Sequence, residues 1–170
     1  MKAANKRNFV STLIGALLAA ASLGAHASTA PSGPPDWVVP FDAGLACSYA
    51  LTIEGWAGKN HTREFTDKDG NANVVITGKG HDFRFTNVAN GKTTTQMSQG
   101  VQQQIVVYPD GSQKYTTNGA LLLVMFPTDI PAGPSTVYYN GHSELTITAA
   151  GVGTLEKATG HKRDICAELS

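Results

Sequence analysis

The chain has 170 residues with 13 basic and 13 acidic side chains, two cysteines and 41 % hydrophobic residues. Three of those basic residues and none of the acidic ones lie in the first 27 positions, so the remainder carries 10 against 13, a net charge of −3. That balance excludes the clustered basic surface that nucleic acid demands and the polybasic segment that would hold a protein on an anionic membrane.

Taken from its start, the chain opens with the three parts of an export signal. Lys2, Lys6 and Arg7 form a positive n-region, Phe9 to Leu23 is apolar and uncharged, and Ala25-His26-Ala27 places small residues where a signal peptidase cuts. The apolar run is shorter than the roughly 20 residues a spanning helix needs. Residues 1–27 are therefore expected to be a cleaved signal peptide, with no stable membrane anchor and a secreted or periplasmic product beginning at Ser28. Residues 28–46 form an arm with Pro31, Pro34, Pro35 and Pro40. Proline removes backbone donors, so the arm is excluded from helices and central strands. Its Trp37, Val38, Val39 and Phe41 predict that part of it lies along the domain surface.

Residues 47–170 read as one β domain. Cys47, Tyr49, Leu51 and Ile53 alternate with smaller or polar residues, the period of a half-buried strand. Runs at 61–66, 74–77, 82–88, 93–98 and 101–108 follow, then 113–126, 136–148 and a last run from Leu155 towards Cys166. Asp67-Lys68-Asp69-Gly70-Asn71 is a turn, since an EF-hand begun at Asp67 would need Gly and Glu where Ala72 and Gly78 stand. Asn90-Gly91 predicts a type I′ hairpin turn, and Pro109-Asp110-Gly111-Ser112 predicts another reversal. The seven apolar residues Ala120 to Phe126 require burial on both faces, and the arm bearing Trp37 and Phe41 is the expected cover. Gly141 is read as the mark of a bulge, and only Asp164 to Leu169 suggests a helix. Together these predict an all-β fold: an antiparallel meander of 8–9 strands closing into a barrel or clam-like sandwich.

Cys47 and Cys166 stand 119 positions apart with no neighbouring metal-ligand spacing, and export would place them where disulfides persist. A single bridge joining the two ends of the domain is expected. No nucleophile elbow, localised carboxylate pair or spaced histidine pair appears, so neither metal nor cofactor is expected. Asn60-His61-Thr62 fits a glycosylation acceptor, but the leader is of bacterial type and no glycan is expected. The candidate pocket consists of Glu54, Trp56, Arg84, Tyr138, His142 and Glu144, polar groups on strands beside large apolar ones. The competing reading places them on a wet outer face.

Phe85-Thr86-Asn87, Asn90-Gly91-Lys92-Thr93, Pro109-Asp110-Gly111-Ser112, Gly119 with its leucine run, and Asp164-Ile165-Cys166-Ala167-Glu168-Leu169 together resemble a family of small secreted bacterial β-proteins with a terminal disulfide. The resemblance covers most of Cys47 to Leu169 and implies secretion, a β-fold and the terminal bridge. It supplies no catalytic residue. His142 and His161-Lys162 stand where such sequences carry Arg or apolar residues. The function expected is a non-enzymatic module that binds an apolar small molecule or another protein. The alternatives are a barrel enzyme of isomerase or cyclase type, built on scattered His, Glu and Tyr, and an envelope structural protein.

Overall fold

The computed structural model describes residues 31–170; the expected signal peptide and cleavage point lie outside them. Ten strands form: β1 (Trp37–Phe41), β2 (Leu51–Trp56), β3 (Asn60–Thr66), β4 (Ala72–Lys79), β5 (Asp82–Asn87), β6 (Thr93–Gln96), β7 (Gly100–Val107), β8 (Gln113–Met125), β9 (Ser135–Ile147) and β10 (Gly153–Asp164). A short helix, α1 (Ile165–Leu169), follows and is capped by Asp164, whose side chain accepts the Ala167 N–H at 3.0 Å. No helix among the described residues is long and apolar enough to cross a membrane.

The strands build two antiparallel sheets in the orders β1-β2-β5-β6 and β10-β9-β8-β7-β4-β3. Neither ladder closes on itself, so the expected barrel closure does not occur among the described residues. Nor is the path a simple meander. The chain leaves the small sheet after β2, returns at β5 and leaves again after β6. The turns that drive these reversals mostly follow the sequence. Asp67 accepts the N–H groups of Asp69 and Asn71 at 2.9 and 3.0 Å, with Gly70 at a φ of 84°. Gly111, at a φ of 85°, donates to Tyr108 O at 2.9 Å. The β5–β6 hairpin forms without a type I′ turn, because Gly91 alone takes a positive φ. Asn87 and Asn90 instead accept the N–H groups of Ala89 and Lys92, each at 2.9 Å, and carry the loop on Asx turns.

Both sheets contribute to one hydrophobic core. Leu51, Ile53, Phe83 and Phe85 point into it from β2 and β5, with Ala46, Cys47, Tyr138, Ile165 and Leu169. Each large side chain buried there contributes about 1.5–3 kcal/mol. Ala120, Leu122 and Val124 of β8 pack against the same cluster. Cys47 and Cys166 are bridged, with their α-carbons 5.5 Å apart. Tyr49 Oη donates to Cys166 O at 2.7 Å and Thr136 Oγ1 to Ala46 O at 2.9 Å, so the domain's ends are neighbours.

The arm's place differs from the expectation. Residues 37–41 pair with β2 as an edge strand, where Pro40 is tolerated. Trp37 lies over Gly55 and meets the rings of His81 and Phe83 at 5.9 and 6.0 Å. Phe41 lies 6.2 Å from Phe126 of the apolar run, and Trp37 and Phe41 pack against the same core cluster as Ala120, Leu122 and Val124. The other face of that run is covered by the sheet itself. Leu123 pairs with Val137 and Leu145 with Tyr115, positions about 26 Å apart along a flat ladder at the usual rise. Yet Leu123, Met125, Leu145 and Ile147 line one small hollow of about 90 Å³. The sheet must bend between them.

The bend falls on glycine. Gly119 stands opposite Gly141, and Gly141 opposite Gly160. A Cβ on Gly119 would run into the Gly100 carbonyl and one on Gly141 into the Thr159 carbonyl. Gly119 and Gly160 also take φ values of 100° and 103°. Gly141 is thus no bulge; the register shift in this region lies between Leu155 and Lys157. Past the bend, Asp129 closes the fold by accepting the N–H groups of Phe126 and Gly153 at 2.6 and 2.8 Å.

Candidate functional site

The six residues named from sequence fall in three places. Glu54 and Arg84 are cross-strand neighbours on β2 and β5. They alternate with the buried Ile53, Phe83 and Phe85, so they occupy the outer face of the small sheet. Arg84 Nη2 donates to Glu54 Oε1 at 2.6 Å and its Nε to Oε2. Its guanidinium lies 5.3 Å from the centre of the Trp56 ring, and Trp56 Nε1 donates to Gly33 O at 3.2 Å. This cluster is internally satisfied and anchors the arm. His142 and Glu144 lie on a different surface, beyond the glycine bend. There Glu144 takes His142 Nε2 at 3.1 Å and Lys114 Nζ at 3.3 Å, while His142 Nδ1 meets Asn118 Oδ1 at 2.9 Å. That is a wet face of paired side chains. Among the described residues no three His, Cys, Asp or Glu side chains converge to hold a metal ion.

Tyr138 is set apart from the other five. It points from β9 into the shared core, only 4 % exposed, with its ring 6.5 Å from Phe83. Its hydroxyl is enclosed and makes no hydrogen bond of ordinary geometry. Burial raises the phenol's pKa, an effect only partly opposed by the nearby Gln99 backbone and Gln96 side chain. Leaving such a group unpaired costs about 1–3 kcal/mol.

Two hollows meet at this side chain. The first, of about 200 Å³, has walls of Ile76, Phe83, Val101, Ala120, Leu121 and Leu122. Its polar groups are few: Asn60, His81 and Gln103, besides Tyr138. Gln103 Nε2 is already engaged by Thr117 Oγ1 at 2.9 Å. The second, of about 240 Å³, is lined by Gln96, Gln99, Asn140, His161, Lys162 and Arg163, with Tyr138 common to both. Arg163 braces it: its Nε donates to Glu168 at 2.8 Å and its Nη1 to Thr95 O and Gln96 Oε1 at 2.7 and 3.0 Å.

Of the six residues named from sequence, Tyr138 alone lines these hollows, and none of its neighbours there was named. Ile76, Val101 and Leu121 read as ordinary strand hydrophobes, and His81 belongs to no spaced histidine pair. The one available signal was Tyr138 in phase with Thr136 on the buried side of β9.

The charged groups make a pH dependence calculable in sign. Arg84 holds the Glu54 carboxyl below its usual value by hydrogen bonding, His142 and Lys114 do the same for Glu144, and Arg163 for Glu168. The folded state then binds fewer protons than the unfolded chain in this range. These contributions are complete above the unfolded carboxyl values of about 4 and are lost as pH falls through the lower folded values. Tyr49 and Tyr138 are shifted upward, both chiefly by burial. Their contribution is complete below about pH 10 and is lost above it. Urea midpoints should therefore be flat from about pH 5 to 9 and decline on both sides. An unchanged midpoint at pH 3 would contradict the ion-pair assignments.

No protein-family model matches this chain, and no curated protein or solved structure matches it either.

Proposed function

We propose that the protein is an exported, non-enzymatic binding module that takes a small, largely apolar molecule into the hollow beside Tyr138. The observation that carries this reading is the wall of six apolar side chains around about 200 Å³. An apolar cavity of about 150 Å³ in an engineered protein core already accepts benzene, so a single ring or a short branched chain matches this space. The few polar groups at its margin are the pattern of a site that orients a ligand rather than transforms it. The resemblance to secreted bacterial β-proteins and the export signal favour a role outside the cytoplasm, and the disulfide suits an oxidising compartment. In this reading the two sheets act as the halves of a clam-like sandwich, with the ligand between them.

Ala120 offers the means of a test, because it lines the hollow and has the smallest side chain there. Ala120→Phe should fill the space and abolish the binding of toluene, measured by titration calorimetry. The same variant should melt no lower than the parent, since it occupies a void. Retained toluene binding in a folded Ala120→Phe variant would rule this hollow out as the site.

A further inference from the structure

We infer that the ligand carries an anionic group, a carboxylate on a small ring or branched chain, which the hydroxyl of Tyr138 and the polar recess beyond it recognise. This rests on the apolar hollow being the binding site. The recess adds what that hollow lacks. Tyr138 is the one side chain common to both spaces among the described residues, and its enclosed hydroxyl makes no hydrogen bond of ordinary geometry, with the Gln99 backbone and Gln96 side chain close beside it. A buried donor left free at the junction of two hollows is paired when a ligand's acceptor reaches it.

The recess lining decides the sign of that acceptor. His161 and Asn140 are paired across β10 and β9, and Arg163 faces Tyr138 in the same ladder. Paired residues share a face, so all four stand on the side turned towards the small sheet. From that sheet's side come Gln96 and Gln99. The lining includes Lys162, His161 and Arg163 and no carboxylate. Arg163 is committed to Glu168, Thr94, Thr95 and Gln96, so it positions Gln96 and offers no free donor. Asn140 Nδ2 is engaged with Gln99 Oε1. Tyr138, His161 and Lys162 remain as donors for an oxygen anion, and charge-assisted hydrogen bonds to such an anion are stronger than neutral ones.

Toluene and benzoate form a matched pair that separates the two readings. Titrated against the full chain, both should bind, with benzoate at least about tenfold tighter. Tyr138→Phe should remove most of that advantage and leave toluene binding within about twofold, while removing no packing. His161→Ala should cost benzoate several-fold and toluene nothing. If toluene binds and benzoate binds no better, or if Tyr138→Phe leaves the advantage intact, the anionic group is wrong and the apolar site survives. If neither molecule binds, both readings fail together.

Discussion

Removing the bridge by replacing Cys47 and Cys166 with alanine should cost about 4 to 5 kcal/mol of stability. The reason lies in the unfolded chain. A link spanning 119 positions denies the denatured ensemble most of its end-to-end freedom, and the loop-closure relation gives that magnitude. For a domain of this size the melting temperature should drop by about 10 to 20 °C. The loss should be reproduced by adding reductant to the parent protein, which separates the bond from the packing of the two side chains. The double variant should also loosen α1, which otherwise stays near the core through Cys166 and through Leu169 O, the acceptor for Asn87 and Asn90 side chains at 3.0 and 3.1 Å. A variant that melts within about 2 °C of the parent would show that these hydrogen bonds and the buried Ile165 and Leu169 already hold the ends together.

Gly119→Ala should be as damaging, at about 3 to 5 kcal/mol, although it adds one methyl group. Two costs combine at this position. The backbone sits at a φ of 100°, which a side chain adopts at a cost of about 1–3 kcal/mol. The new Cβ also points into the Gly100 carbonyl of the neighbouring strand, and overpacking of this kind adds about 1–3 kcal/mol. Gly111→Ala is the control. Its φ is similar at 85°, but its Cβ would find only Ala149 Cβ at an ordinary 3.8 Å, so it should cost about 1–2 kcal/mol. Equal losses at the two sites would mean that backbone conformation alone matters and that the close approach of strands at the bend does not. Because Val101, opposite Gly119, and the adjoining Ala120 both line the hollow, Gly119→Ala should weaken toluene binding as well.

These two predictions draw on different levels of the molecule. The bridge was legible in the chain itself, from two cysteines behind an expected export signal and from parity. So were most of the strands, because alternation with period two is a local property, although the run from Cys47 becomes strand only at Leu51; so too were the turns at Asp67 and Pro109, because their residues set φ locally. The all-β class follows from the same local patterns, as does the helical ending at Asp164 to Leu169. What alternation cannot say is which face of a strand is covered, or by what. Glu54 and Arg84 face outward from the small sheet, whereas His142 and Glu144 share the face of β9 that carries Tyr138 but lie past the glycine bend. That choice is made by pairing between strands distant in the chain, such as β2 with β5 and β8 with β9. The cover of Ala120 to Phe126 is a further case. Seven apolar residues demanded burial, and the arm was the nearest local candidate, but a row of glycines brought together by register bends the large sheet onto itself instead. No single glycine announces such a row, because it exists only once β8, β9 and β10 lie side by side. The hollow at Tyr138 has the same origin: its walls come from β4, β5, β7, β8 and β9, and only packing in three dimensions puts them around one space.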